Sequence, residues 1–173
     1  TSPNGLGMSP KRITLSTAGV AKMIVKMGDD KVKFNLALSL HAANDEKRNQ
    51  IMPINETNNL NVLADAIAYF YSKTGTRTTF EYIVFKDFND SLKDAEELAN
   101  YCKKLKSKVN IIEYNPIDDG MFQQTTGSRL RAFTDYLTTN GIICNVRKSR
   151  GKDIDAACGQ LANKNKLAQL NLK

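Results

Sequence analysis

The chain has 173 residues, 41% hydrophobic and 25% charged, enough for one domain that buries roughly 70% of its unfolded surface. Its 25 Lys+Arg against 18 Asp+Glu leave a net charge of +7, which suits a polyanionic partner or a solvated lysine face. The longest apolar stretches, such as residues 34–40, fall far short of a membrane span. Three widely spaced cysteines, Cys102, Cys144 and Cys158, exclude a metal site built from CxxC pairs in this chain and point to a reducing, cytoplasmic setting.

No charged-then-apolar leader opens the chain, so no signal peptide is expected. The first residues, Thr-Ser-Pro-Asn-Gly, lack a methionine and soon meet a β-like run. A fragment of a longer protein is expected.

Residues 12–16 (RITLS) read as a short strand, because β-branched residues suit a pleated surface. A helix follows with Val20, Met23, Ile24 and Met27 on one face, and Gly28-Asp29-Asp30 stops it. Residues 34–40 (FNLALSL) form a second strand. Phe34, Leu36, Leu38 and Leu40 alternate with Asn35, Ala37 and Ser39, giving one apolar face and one small or polar face. His41 stands at its carboxyl end. Asn44-Asp45-Glu46 caps a short helix to about Met52, and Pro53 breaks it.

Leu60, Leu63, Ile67 and Phe70 mark a longer helix capped by Asn58 or Asn59. Residues 78–85 (TTFEYIVF) are a third strand. Asn89-Asp90-Ser91 opens a helix with Ser91 and Asp94 at capping-box spacing. Its inward face is Leu92, Ala95, Leu98, Cys102 and Leu105. Residues 109–114 (VNIIEY) are a fourth strand, ended at Asn115-Pro116 because the residue before proline leaves helical space. The polar stretch 117–127 is long enough for a lid or a binding loop. Residues 128–139 are helical, with Leu130, Phe133 and Leu137 inward. Residues 142–147 are the last strand, with Ile142, Cys144 and Val146 sharing a core face.

Alternating strands and helices imply a parallel sheet with right-handed crossovers, either a small open α/β sheet or part of a larger barrel. In such folds ligands meet the carboxyl ends of the strands. Ser16, Ser39-Leu40-His41 and Asn115 stand at those ends, with Glu81 and Tyr82 further back in the third strand. Hydroxyl, imidazole and carboxamide groups without a carboxylate pair suit a polar cofactor better than acid–base hydrolysis. Each is equally compatible with an ordinary turn residue. His41 is the only histidine, so it makes no His-based metal site. Walker, GxGxxG, GxSxG and HExxH patterns are absent.

Cys158 lies between Ala156-Ala157 and Gly159, just past Arg147, Lys148, Arg150 and Lys152. Small neighbours leave a thiol open, and nearby cations favour the nucleophilic thiolate. The alternative is a buried core cysteine. The basic run is either a solvated face or a set of RNA phosphate contacts.

Four segments together resemble one family. They are GLGMSPKRITLSTAGV at 5–20, FNLALSLHAANDEKRNQIMPIN at 34–55, VNIIEYNP at 109–116 and VRKSRGKDIDAACGQL at 146–161. They are similar to the radical S-adenosylmethionine (SAM) methyltransferases of the RlmN type, which methylate carbon 2 of an adenine in 23S rRNA and, for some members, modify tRNA. The resemblance covers about residues 5–162. It implies a partial parallel βα barrel of the radical SAM type, truncated at its N-terminal side, over residues 1–162, with a tail at 163–173. It implies SAM contacts at Ser16, Ser39, Leu40, His41 and Asn115, and RNA contacts at Arg147, Lys148, Arg150 and Lys152. It makes Cys158 the cysteine that is S-methylated and carries the one-carbon unit to the adenine.

The resemblance also implies a [4Fe–4S] cluster and an electron donor. The CxxxCxxC run that would hold the cluster is absent, and no cysteine precedes Cys102. The expectation is a C-terminal portion of such an enzyme, inactive by itself and prone to self-association through its exposed first strand. The competing reading is a non-catalytic RNA-binding α/β module.

Overall fold

Strict alternation in residues 34–40 forces Leu36 and Leu38 onto one side of a sheet, and the rest of the fold follows from covering that side. The structure, a computed structural model, describes residues 5–116 and 121–147. The strands are β1 (Thr14–Thr17), β2 (Asn35–Ser39), β3 (Thr78–Val84), β4 (Ser107–Glu113) and β5 (Cys144–Arg147). The helices are α1 (Ala21–Asp29), α2 (Asp45–Ile51), α3 (Leu60–Thr74), α4 (Leu92–Lys103) and α5 (Gly127–Thr139). All five strands are parallel and lie in the order β1-β2-β3-β4-β5. Neighbours in space are neighbours in sequence, and there is no reversal of strand order. That is the winding of a βα barrel and not of a doubly wound sheet.

One face of the sheet carries Leu36, Leu38, Phe80, Tyr82, Val109 and Ile111, packed in a single cluster with Ile24 of α1, Leu63, Ile67 and Phe70 of α3, Leu98 of α4 and Phe133 of α5. Ring pairs Phe80–Tyr101 (5.6 Å) and Tyr82–Phe133 (5.5 Å) join β3 to α4 and α5. Each fully buried side chain of this size contributes about 1.5–3 kcal/mol, so this cluster is what orders the sheet. The alternate residues fall on the other face. There the register aligns Ser39, Glu81, Asn110 and Asn145 across β2 to β5.

Local chemistry sets the helix ends. Side chains of Asn44, Asn59 and Thr126 accept from the backbone N–H of Lys47, Val62 and Arg129. Ser91 and Asp94 form the reciprocal capping box that their spacing predicts. Gly75 closes α3 in the left-handed conformation, φ 67°.

Several expectations need correction. A 3-10 turn at Pro10–Arg12 displaces the first strand to Thr14–Thr17. Met23 is 47% exposed, because the buried stripe of α1 runs Ala21, Ile24, Gly28 and Met23 lies about 100° from Ile24. Leu92 is 56% exposed; as the first residue of α4 it stands beyond the packed region. The last strand begins at Cys144, not 142, and its Val146 is 44% exposed. Cys144 is only half-buried. β5 is an edge of the sheet, and an edge strand gains cover from one neighbour only. The tail 163–173 lies outside the described residues.

Candidate cofactor-binding site

The carboxyl ends of the parallel strands all open on one rim, and the motif residues collect there. Ser16 is exposed near the end of β1, and Ser39 ends β2. His41 follows two residues later, and the buried Asn115 follows β4. With strands about 4.8 Å apart, β2 and β4 lie roughly 10 Å from each other, a span that a nucleoside-sized ligand bridges.

Leu40 differs from its neighbours. Its side chain is fully buried in the helix-side core. Its N–H donates to the Glu81 carbonyl (3.0 Å) and its own carbonyl accepts from Arg48 Nε (3.1 Å). Leu40 therefore holds the strand end in place.

His41 adopts φ 57°, a left-handed conformation uncommon for a non-glycine residue. Its N–H donates to the Glu81 carbonyl (3.3 Å), and two further contacts hold it there. Its Nδ1 accepts from the Ile83 N–H (3.2 Å), and its carbonyl accepts from Asn89 Nδ2 (2.7 Å). Burial, and then the nearby Arg48 charge, press its pKa down to about 4. The imidazole is neutral at physiological pH, with Nδ1 as acceptor and Nε2 bearing the proton.

Two buried polar residues frame the rim, and neither announces itself in the sequence. Asn89 donates to the carbonyls of His41 (2.7 Å) and Ile83 (2.8 Å) and accepts from the Phe85 N–H (2.7 Å). It ties the end of β2 to the end of β3. Arg48 is wholly buried. It donates from Nε to Leu40, from Nη1 to Asn55 Oδ1 (2.6 Å), and from Nη2 to the carbonyls of Ala18 (2.9 Å) and Ser39 (3.2 Å). Arg48 lies within a short helix and Asn89 in a helix start, both legible in the sequence, and only contacts across the chain reveal their second role.

Glu81 and Tyr82 of β3 go separate ways. Tyr82 joins the core, its hydroxyl donating to the Asn89 carbonyl (3.0 Å). Glu81 lies on the opposite face, where Oε1 accepts from Asn110 Nδ2 (2.8 Å). Glu81 Oε2 is buried without a hydrogen bond, and Arg147 Nη1 stands 3.5 Å from it. Arg147, expected on RNA, thus makes an internal ion pair while its side chain stays 64% exposed. Lys148, Arg150, Lys152 and Cys158 lie outside the described residues.

The described end of the polar stretch 117–127 is anchored. Gln123 accepts from the Lys86 N–H (2.9 Å), Thr125 Oγ1 donates to Asp90 (2.5 Å), and the Phe122 ring sits 4.3 Å from Phe85. Arg129 pairs with Asp87 and Asp90 beside it.

Among the described residues no cluster of His, Cys, Asp or Glu could hold a metal ion, and no helix is long and apolar enough to cross a membrane. Burial pushes the Cys102 thiol up to about 12 and the Cys144 thiol up to about 11. Neither belongs to a group of ligands close enough to hold a metal ion among the described residues, so these two do not fit an iron–sulfur cluster. The strand-end groups do fit SAM. Ser16 and Ser39 offer hydroxyls and His41 an N–H, matching a ligand that carries a carboxylate and ribose hydroxyls.

A scan against protein-family models returned no match. A protein of Cytophaga hutchinsonii named probable dual-specificity RNA methyltransferase RlmN is 62% identical over 164 residues, 95% of this chain and 45% of that protein. The dual-specificity RNA methyltransferase RlmN of Nautilia profundicola is 42% identical over 162 residues, covering 94% of this chain and 46% of its own. Among solved structures, a radical SAM methyltransferase from Sphaerobacter thermophilus superposes with TM-score 0.89 at 38% identity, over 92% of this chain and 47% of that one. A domain of pyruvate-formate lyase-activating enzyme from Bacteroides vulgatus superposes with TM-score 0.63 at 12% identity, over 80% of this chain and 87% of that one, and so shares the fold alone. The chain spans a little under half the length of the curated relatives it matches. By sequence and by fold the chain corresponds to a portion of the RlmN-type proteins and of a solved radical SAM methyltransferase.

Proposed function

We propose that this chain is the C-terminal part of a cytoplasmic radical SAM enzyme that methylates carbon 2 of an adenine in 23S rRNA, and in tRNA, through an S-methylcysteine at Cys158. The observation that carries the reading is the gathering of Ser16, Ser39, His41 and Asn115 at the carboxyl rim of one parallel sheet. SAM, when bound, supplies both a methyl group and, on reductive cleavage, a radical.

The chain's own residues bind and orient. Ser16 and Ser39 hydrogen-bond the polar groups of the cofactor, and the Asn115 carboxamide does so from β4. The neutral His41 donates from Nε2, because Nδ1 is already engaged by Ile83. A neutral imidazole adds no positive charge beside a sulfonium, which favours binding. Cys158 holds the one-carbon unit before it passes to the adenine. An aromatic carbon 2 is too weak a nucleophile to take a methyl group directly, which is why a carrier is needed. The run Arg147, Lys148, Arg150 and Lys152 contacts RNA phosphates, with Arg147 leaving Glu81 when RNA binds. No group of described residues fits the cluster and the sequence lacks the CxxxCxxC run, so the cluster ligands belong to other parts of the whole protein and the electron donor is its partner. The chain alone is then inactive. The open edge of β1 is available for self-association, which sedimentation of the isolated chain checks.

The test is the mass of the peptide carrying Cys158, from full-length protein purified without oxygen. A gain of one methyl group is expected. An unmodified thiol in protein with intact cluster and SAM would favour the non-catalytic RNA-binding module.

A further inference from the structure

We propose that Arg48 is the positioning residue of the SAM site, the group that fixes the ends of β1 and β2 relative to each other; this rests on the reading just given. Past the end of a parallel strand, backbone carbonyls lose their ladder partners, and buried carbonyls need a donor. Here one guanidinium serves three of them. It bonds Ala18 after β1, Ser39 at the end of β2, and Leu40 beyond it. These are the two stretches that carry Ser16, Ser39 and His41. A planar fork fixes the directions of its N–H groups, so the two strand ends cannot separate or turn without breaking its bonds.

Three features mark this as more than a packing role. Arg48 is fully buried, and a buried cation is a costly way to fill space. No carboxylate among the described residues forms an ion pair with it. Its fourth bond goes to Asn55, whose Nδ2 in turn donates to Asp45 Oδ1 (2.8 Å). Three of its four bonds are aimed at carbonyls of the strand ends. Finally, the chain wraps closely around it. Gly19 takes φ 108°, and a Cβ there would stand 3.2 Å from Arg48 Nη2. Only glycine lets the Ala18 carbonyl turn in so tightly. Arg48 touches no cofactor in this scheme. It sets where the contacting groups stand.

The measurement is calorimetric titration of SAM into the full-length holoprotein, with the folded fraction of each variant determined separately. Arg48→Lys keeps the cation but cannot meet four divergent acceptors. Its Kd should rise about 10-fold or more, the equivalent of one or two lost bonds. Leu98→Ala, a core variant in α4 away from the rim, loses stability too and should keep the wild-type Kd. Asn55→Ala removes one of the four bonds, leaves Arg48 in place, and should raise Kd about 3-fold. It decides the matter if Arg48→Lys does not fold. Folded Arg48→Lys with a wild-type Kd overturns the inference while the functional reading stands. So does a wild-type Kd for Asn55→Ala when Arg48→Lys is unfolded. Absence of SAM binding by the wild-type holoprotein overturns the functional reading, and this inference with it.

Discussion

Asn89→Ala is the sharpest test of how the rim is built. Asn89 is fully buried and makes three side-chain bonds of 2.7–2.8 Å. Truncation leaves the Phe85 N–H and the carbonyls of His41 and Ile83 short of a partner. At about 1 kcal/mol for each bond, the loss is about 3 kcal/mol, a large part of the 5–15 kcal/mol typical of a domain. With an m value of about 2 kcal/mol/M, the urea midpoint should fall by about 1.5 M. The assay is urea unfolding of the 173-residue chain followed by far-UV circular dichroism. Asn89→Asp adds a second arm. The carboxylate still accepts from Phe85 but turns an anionic oxygen toward two carbonyls, so its loss should match or exceed that of alanine at neutral pH and shrink in acid. A midpoint for Asn89→Ala within about 0.3 M of wild type at unchanged m would refute the hub.

Three further outcomes are expected. His41 is the only histidine, so its proton resonances titrate alone; they should stay at the neutral position down to about pH 5, in line with a pKa near 4. Because the folded value lies below the usual 6.5, the unfolded chain takes up this proton first. Stability then falls between about pH 6.5 and 4, by up to about 3 kcal/mol, and His41→Asn should remove that component. Gly19→Ala should cost about 2 kcal/mol, seen as a Tm loss of roughly 4–8 °C, since it combines positive φ with contacts of 3.2 Å to Arg48, Leu38 and Leu63. Cys102 and Cys144 should react with iodoacetamide at pH 8 at least about 100-fold more slowly than in the unfolded chain, because burial keeps both thiols protonated. Equal rates in folded and unfolded protein would contradict that burial.

The sequence by itself determined the parts governed by short-range rules. Alternation in residues 34–40 fixed which side of β2 is apolar, the Ser91–Asp94 spacing fixed the start of α4, and the strand–helix rhythm fixed a parallel sheet. It also placed Ser16, Ser39, His41 and Asn115 at strand ends, because those positions follow from where each apolar run stops. What it could not supply were interactions between residues far apart in the chain. The partners of the β3 residues are of this kind, Asn110 and Arg147 for Glu81 and the Asn89 carbonyl for Tyr82. Arg48 looks like an ordinary member of a short helix and Asn89 of a helix start until the fold brings Ala18 and His41 against them. Met23 and Leu92 are apolar and exposed because burial depends on which faces the neighbouring elements cover. Periodicity is written in the backbone geometry of a single element; the partners that satisfy a buried guanidinium or amide are chosen only when the strand ends meet.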